Sequence, residues 1–176
     1  TPTWNGKSVT RYDVLGRVTQ VTAPDGVTTT HAYKDWRELA LDGNGHQTQN
    51  EKDGLGRLVV VREYTGTYTA LDWNATAPAL THYWYDERSN LIGVQDALNN
   101  VTRIGYDALG RKATMDDPSM GHWEYRYDAA GNLITQTDAL GQQLVFGYDT
   151  LNRVTNKRVN ESANPRVLAQ YEYDAS

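Results

Sequence analysis

Cysteine is absent from this chain of 176 residues, so neither a disulfide framework nor a thiolate zinc site can hold it together, and its redox compartment is left open. Phenylalanine occurs once. No apolar run approaches the roughly 18 residues needed to cross a bilayer as a helix. The opening Thr1-Pro2-Thr3-Trp4 has neither the basic nor the apolar region of a secretory leader, and it reads as an excised segment of something longer. An excess of positive charge is missing too. Seventeen Lys and Arg are interspersed with 22 Asp and Glu for a formal net charge of -5, whereas a phosphate-binding surface draws its affinity from clustered cations. Nucleic acid is therefore not an expected partner. What the chain does have is 12 Tyr and 5 Trp at a mean hydropathy of -0.69. Rings with an apolar body and a polar tip must supply much of its burial.

Those tyrosines keep a ruler. Tyr85-Asp86, Tyr106-Asp107, Tyr127-Asp128 and Tyr148-Asp149 follow one another at 21 residues, and Tyr12-Asp13 precedes Tyr33 by the same interval. The fourth position after the Tyr is Gly16, Gly110 or Gly131, with Ser89 and Asn152 as variants. The fifth is Arg17, Asn90, Arg111, Asn132 or Arg153. Between Tyr33 and Tyr85 the register weakens: Lys52-Asp53-Gly54-Leu55-Gly56-Arg57 keeps the turn and lacks the aromatic. The surplus falls within residues 64–81, including Leu71 to Pro78, which reads as a loop insertion; a smaller one before Tyr173-Asp174 falls at Asn160 to Pro165. Residues 1–176 are thus read as a single repeat array of about eight units, cut from a larger protein.

Each period holds two strand signals and two turn signals, which makes the unit a β-hairpin. Trp123, Tyr125 and Tyr127 alternate with His122, Glu124 and Arg126, and Leu144, Phe146 and Tyr148 alternate with Gln143, Val145 and Gly147. That period of two belongs to strands. At the break, Asp accepts hydrogen bonds from backbone N–H groups further on, and Gly or Asn at the fourth position tolerates positive φ. Asp13, Asp86, Asp107, Asp128 and Asp149, with Gly16, Gly110 and Gly131, are accordingly turn-forming. The Tyr at the strand end is expected to cover the turn and stack on its counterpart in the next hairpin.

At these residues the chain resembles the RHS/YD-repeat family, and the resemblance runs from Tyr12 to Asp174. It implies hairpin arrays wound into a hollow spiral shell, as in bacterial RHS and insecticidal toxin-complex proteins that enclose a toxic domain, and in the related teneurin scaffolds. The expected fold is all-β, with tandem antiparallel hairpins in a curved open sheet that forms part of one spiral turn. With strands about 4.8 Å apart, roughly eight hairpins span about 75 Å, short of the ~125 Å that would close around a ~40 Å lumen. The ruler tyrosines Tyr12, Tyr33, Tyr85, Tyr106, Tyr127, Tyr148 and Tyr173 are the expected lumen-facing set, with Tyr83, Trp123, Tyr125, Phe146 and Tyr171 beside them. The implied partners are an enclosed polypeptide cargo and neighbouring repeats, with the outermost strands open to pairing with a second copy. The implied setting is a secreted or cell-surface bacterial protein.

Catalytic chemistry finds no seat. The aspartates recur every period, whereas an active site needs one asymmetric constellation. His31, His46, His82 and His122 share no metal-binding spacing, and no nucleophile elbow surrounds Ser8, Ser89, Ser119 or Ser162. Asp42-Gly43-Asn44-Gly45-His46 opens like a calcium loop, but Gln47 stands where glycine is needed and Asp53 where a bidentate Glu is needed. No enzyme, metal or cofactor is expected. Family shells that release a toxin carry an aspartyl autoprotease with a D-P-x-G motif; Asp117-Pro118-Ser119-Met120-Gly121 has one residue too many and is read as a turn. The alternative function is a carbohydrate or cell-surface binding module that stacks sugars on exposed rings, with Trp73 in the insertion as the leading contact.

Overall fold

The computed structural model describes residues 6–77, 79–160 and 166–174. The opening Thr1 to Trp4, Pro78 of the larger insertion, and the smaller insertion beyond Asn160 with its Ser162 lie outside them. The described residues are all-β, with fifteen strands and no helix. They fall into two compact units, one of Thr1–Trp84 with Val94–Asn100, the other of Tyr85–Gly93 with Val101–Ser176.

In the first unit, β1 (Val9–Tyr12), β2 (Val18–Thr22), β3 (Thr28–Lys34), β4 (Arg37–Leu41), β5 (Gln47–Lys52), β6 (Leu58–Glu63) and β7 (Ala79–Tyr85) pair antiparallel in chain order. Two strands have residues in both units: β7, whose last residue Tyr85 belongs to the second, and β8 (Leu91–Gln95). In the second unit, β9 (Val101–Tyr106), β10 (Lys112–Asp117), β11 (Gly121–Tyr127), β12 (Leu133–Thr137), β13 (Gln143–Tyr148), β14 (Val154–Asn160) and β15 (Arg166–Gln170) do the same.

One turn joins most of these strands. The N–H of the first residue donates to the carbonyl four residues on, and the fourth residue's N–H donates back: Asp107 N to Arg111 O at 2.9 Å and Gly110 N to Asp107 O at 3.0 Å. The fourth residue sits at positive φ throughout, as with Gly110 (77°), Ser89 (66°) and Asn152 (60°). This left-handed conformation is why glycine, asparagine and small polar residues occupy that place.

The strand leaving the Tyr-Asp turn carries one extra residue after Tyr12, Tyr106, Tyr127 and Tyr148. Tyr127 faces Leu133 while Arg126 faces Thr135, so Ile134 is a β-bulge. Thr19, Ala113 and Thr155 bulge at the same position, as does Val59 after Lys52-Asp53. A bulge restores the alternation of faces that the turn would otherwise shift by one.

Register defines the faces. In the second unit Ile104 pairs Met115 and Met115 pairs Trp123, while Tyr125 pairs Gln136 and Gln136 pairs Leu144. Tyr106, Trp123, Tyr125, Tyr127, Phe146 and Tyr148 therefore share one face; Arg103, Asp116, His122, Glu124 and Arg126 occupy the other. Met115 and Val159 are the buried apolar residues there, and the rings of that face are half-buried.

In the first unit the deepest burial is on the face opposite Tyr33. Leu39 (0% exposed), Leu41, Gln47, Gln49, Val60 and Tyr64 are buried, and pairs such as Leu39 with Gln49 place them together. The insertion after β6 makes this core by folding back over it. Gln47 donates from Nε2 to the Asp72 carbonyl at 2.9 Å, and its Oε1 accepts from the Asp72 N–H at 2.7 Å. Tyr64 OH donates to Gln49 Oε1 at 3.1 Å, and Tyr68 N–H to the Gly45 carbonyl at 2.8 Å. The approach at Gly45 is so close that a Cβ there would stand 2.9 Å from the Tyr68 carbonyl oxygen. Rings were expected to supply much of the burial; here Tyr64 shares it with aliphatic side chains and with a buried amide bonded to a strap.

Candidate functional site

Within each unit the recurring residues meet at the Tyr-Asp turns. Each Asp organises its own turn. Asp107 Oδ1 accepts from the N–H of Leu109 and of Arg111, both at 2.9 Å, and Oδ2 accepts from Arg111 Nε at 2.7 Å. The same arrangement joins Asp13 to Arg17, Asp53 to Arg57 and Asp149 to Arg153. Where the fifth residue is Asn, its Nδ2 takes the place of the arginine Nε, as in Asn90 on Asp86 (2.8 Å) and Asn132 on Asp128 (2.9 Å). The backbone N–H of Arg111, reinforced by its side chain, holds the Asp107 carboxyl below the usual range against the opposing effect of desolvation. The side-chain amides of Asn90 and Asn132 do the same first for Asp86 and Asp128.

The tyrosine serves the turn before it, not its own. Tyr33, Tyr106, Tyr127 and Tyr148 donate their hydroxyls to the carbonyls of Val18, Leu91, Lys112 and Leu133, each 15 residues earlier and each at 2.9 Å. Tyr173 reaches Val154 at 2.8 Å. The need arises from the bulge. The ladder between β10 and β11 begins at Thr114, beyond the bulge at Ala113, and leaves the Lys112 carbonyl outside it. A buried acceptor must find a donor, and the phenol provides one that phenylalanine could not. Burial pushes the Tyr33, Tyr106, Tyr127 and Tyr148 hydroxyls up from their ordinary pKa.

Arginine completes the link. The Cζ atoms of Arg17, Arg111 and Arg153 lie 4.5, 4.6 and 4.3 Å from the ring centroids of Tyr33, Tyr127 and Tyr173. One guanidinium therefore binds the Asp of its own turn and covers the Tyr of the next hairpin. Tyrosine-on-tyrosine stacking was expected at these turns, but at Tyr33, Tyr127 and Tyr173 a cation takes the ring face, and cation–π geometry supplies the contact. The ring pairs are elsewhere: Tyr64 edge-on to Tyr68 at 6.3 Å, and His82 stacked on Trp84 at 6.4 Å. Further bonds tie turn to turn, from Arg111 Nη1 to the Asp128 carbonyl (3.1 Å) and from Asn132 Nδ2 to Asn152 Oδ1 (2.8 Å). An Arg followed 16 residues later by Tyr, as in Arg17 to Tyr33 and Arg111 to Tyr127, is the sequence signal for this clamp.

The other expected contacts are distributed around these turns. Tyr12 and Tyr83 share the face of Tyr33 within the first unit, Tyr12 being 61% exposed; Tyr85 ends β7, two residues beyond Tyr83. Lys112 Nζ lies over Tyr125 at 4.7 Å and Lys157 Nζ over Phe146 at 5.8 Å. Trp123 donates its indole N–H to the Met120 carbonyl at 3.1 Å, and Tyr171 is exposed beyond β15. Trp73 lies in the strap with Arg37 Cζ 5.9 Å from its ring. Asp42 uses both oxygens on the Asn44 and His46 amides and the His46 ring. Asp117 bonds the amides of Ser119 and Met120 and the Thr102 hydroxyl. Among the described residues no group of three or more His, Asp or Glu is placed to hold a metal ion, and no helix is long and apolar enough to cross a membrane.

Fold and site together define a β-hairpin repeat array in which three Tyr-Asp turns are clamped by an Asp-Arg-Tyr unit. Residues 127–163 match the RHS Repeat family. Across most of its length the chain also has the fold of part of a Tc toxin assembly. It aligns with a Photorhabdus luminescens Tc holotoxin pore at 16% identity and TM-score 0.71, covering 91% of this chain and 9% of that one. It aligns with crystal structures of TcdB2-TccC3-Cdc42 (TM-score 0.62, 98% and 11% covered) and TcdB2-TccC3 (TM-score 0.61, 96% and 11%), each at 16% identity. The chain thus spans about a tenth of the length of the chains it matches. No curated protein sequence matches it. The RHS/YD resemblance read from the tyrosine ruler accordingly holds in sequence over residues 127–163 and in fold over more than nine-tenths of the chain.

Proposed function

We propose that this chain is a non-enzymatic segment of a larger RHS/YD-type shell protein, secreted or displayed by a bacterium, whose tyrosine-bearing face encloses a polypeptide cargo. One observation carries the reading: the recurring Asp, Arg and Tyr side chains join neighbouring hairpins within each unit. Asp107 and Asp149 have both oxygens committed, and the phenols are committed to backbone carbonyls. Groups so tied build a wall and are not poised for proton transfer. Adjoining repeats of the parent protein are the partners of the edge strands β1 and β15, whose unpaired backbone groups also suit a second copy. The half-buried rings of the tyrosine face, lacking deep hot-spot pockets, would hold many sequences weakly.

The test is to titrate the chain with a chemically unfolded, soluble polypeptide and map the contacts by cross-linking. Contacts should gather at Trp123, Tyr125 and Phe146 and avoid His122 and Arg126 on the opposite face. Equal labelling of both faces would defeat the proposal. The glycan reading is favoured by Trp73 standing outside the ladder with a guanidinium beside its ring. Saturable quenching of Trp fluorescence by a sugar, abolished in Trp73→Ala, would establish it instead.

A further inference from the structure

The clamp has no arginine at the turns before Tyr106 and Tyr148. Tyr33, Tyr127 and Tyr173 each carry a guanidinium on the ring, supplied by the residue that ends the preceding turn. The turn before Tyr106 ends in Asn90. Its amide reaches Asp86 Oδ2, where an arginine Nε would sit, and there the side chain stops. Asn132, the other asparagine of this kind, bonds across to Asn152; the Asn90 amide binds only Asp86. Tyr106 itself is fixed by its hydroxyl bond to Leu91. Beside its ring is an open groove of about 500 Å³, lined by Asn90, Tyr106 and Ile104 and by Asp86, Glu87 and Asp107.

We propose that this groove receives an arginine side chain from a partner polypeptide, which supplies in trans the guanidinium that Arg17, Arg111 and Arg153 supply in cis. The chemistry matches on each side of the ligand. A fixed phenol ring offers a π face, Ile104 and Ile92 offer an apolar wall to the side-chain stem, and the exposed Glu87 stands in the lining with Arg88 and beside Asp86 and Asp107, whose oxygens already serve their own turns. The Arg88 guanidinium is already bonded to the Ala108 carbonyl at 3.2 Å. Arginine suits the groove better than lysine because its planar, weakly hydrated head stacks on a ring while its N–H groups reach a carboxylate. Naming a polypeptide as the source rests on the enclosing-wall reading; the groove chemistry does not.

The whole chain is titrated with N-acetyl-arginine amide, with the citrulline and lysine analogues alongside, and followed by amide chemical shifts. Saturable shifts centred on Asn90, Tyr106 and Ala108 are expected, with citrulline weaker by on the order of fivefold or more, since it keeps the shape and loses the charge. Asn90→Arg should fill the groove from within and abolish the response while keeping a dispersed spectrum, because arginine already occupies the equivalent place in three turns. Glu87→Gln, at an exposed position, should weaken binding and leave the fold intact. An equal response to citrulline, an undiminished response in Asn90→Arg, or shifts spread evenly along the turns would overturn the proposal. An arginine response in a chain that retains no unfolded polypeptide would support the groove and count against the enclosing wall alone.

Discussion

The hydroxyl of Tyr127 donates to the carbonyl of Lys112 at 2.9 Å, across the bulge at Ala113 that takes this carbonyl out of the strand ladder. The ring end of the same residue lies under Arg111. The hairpin that ends in Tyr127 thus rests on its predecessor through one hydrogen bond and one cation–π contact, as at Tyr33 and Tyr173, whereas Tyr106 and Tyr148 have the hydrogen bond alone; such an array is stabilised by nearest-neighbour terms.

Tyr127→Phe should therefore cost about 1 kcal/mol, the net worth of one hydrogen bond whose acceptor is half-buried. Tyr127→Ala should cost about 3–5 kcal/mol, the range for truncating a large aromatic. Tyr173→Ala should cost less, because Tyr173 is exposed at the end of the described array. Urea unfolding of the three variants measures this. Equal losses at Tyr127 and Tyr173 would mean that stability is not passed from neighbour to neighbour.

Arg111→Asn turns an arginine-type clamp into the asparagine type already present at Asn90 and Asn132. The Asp107 carboxylate keeps an amide partner, while the Asp128 carbonyl contact and the cover on Tyr127 are lost. A loss of about 1 kcal/mol is expected. Arg111→Ala, which also strips Asp107 Oδ2 of its donor, should lose more. If the two variants melt together, the Asp–Arg bond contributes nothing beyond the ring contact.

The turns and the repeat were legible in the sequence because their chemistry is local: an Asp, a residue that accepts positive φ, and the return strand lie within six positions. The all-β array follows from alternation and from a fixed 21-residue interval. The bulges at Ala113 and Ile134 were not legible, since an extra residue shows only when two strands are laid side by side. The clamp was hidden for a related reason. Arg111 and Tyr127 are 16 residues apart, and only the bulge and the turn together bring them within reach. The strap was hidden differently. Gln47-Thr48-Gln49-Asn50 carries no apolar residue, and its burial comes from a loop that pattern alone cannot dock.

Stability should change only slightly near neutrality and fall at both ends of the pH scale. The carboxyls of Asp13, Asp86, Asp107, Asp128 and Asp149 titrate lower in the fold than free Asp. Their contribution is thus complete above the ordinary Asp value of about 3.9 and is lost as pH falls through the lowered folded values. The phenols of Tyr33, Tyr106, Tyr127 and Tyr148 titrate higher in the fold. Their contribution is complete below about pH 10 and disappears as pH rises through the raised folded values. His122, raised mainly by its hydrogen bond to Asp116, adds a shallow decline above about pH 6.5. Thermal melts across pH check the shape, and His122→Gln should remove only the middle slope. A protein that keeps full stability well below pH 3 would show that the turn carboxylates do not support the array.

Gln47 tests the strap. Its side-chain amide pairs with both the N–H and the carbonyl of Asp72, as one peptide group pairs with another, at 1% exposure. Gln47→Glu keeps the size and the acceptor but removes the donor, and it sets a carboxylate against the Asp72 carbonyl in a site closed to water. An unpaired buried polar group costs about 1–3 kcal/mol, and more when charged. The strap should release before the strands do. Hydrogen exchange should then rise at Tyr68 and Asp72 and at the Leu39 and Leu41 strand beneath, while the amides of β10 to β14 stay unchanged. Tyr64, whose hydroxyl bonds Gln49 and whose N–H bonds the Gln47 carbonyl, should hold the root of the strap in place, so exchange should grow from Tyr64 toward Trp73. Uniform acceleration across the first unit would instead mean that the strap and the strands open as one body.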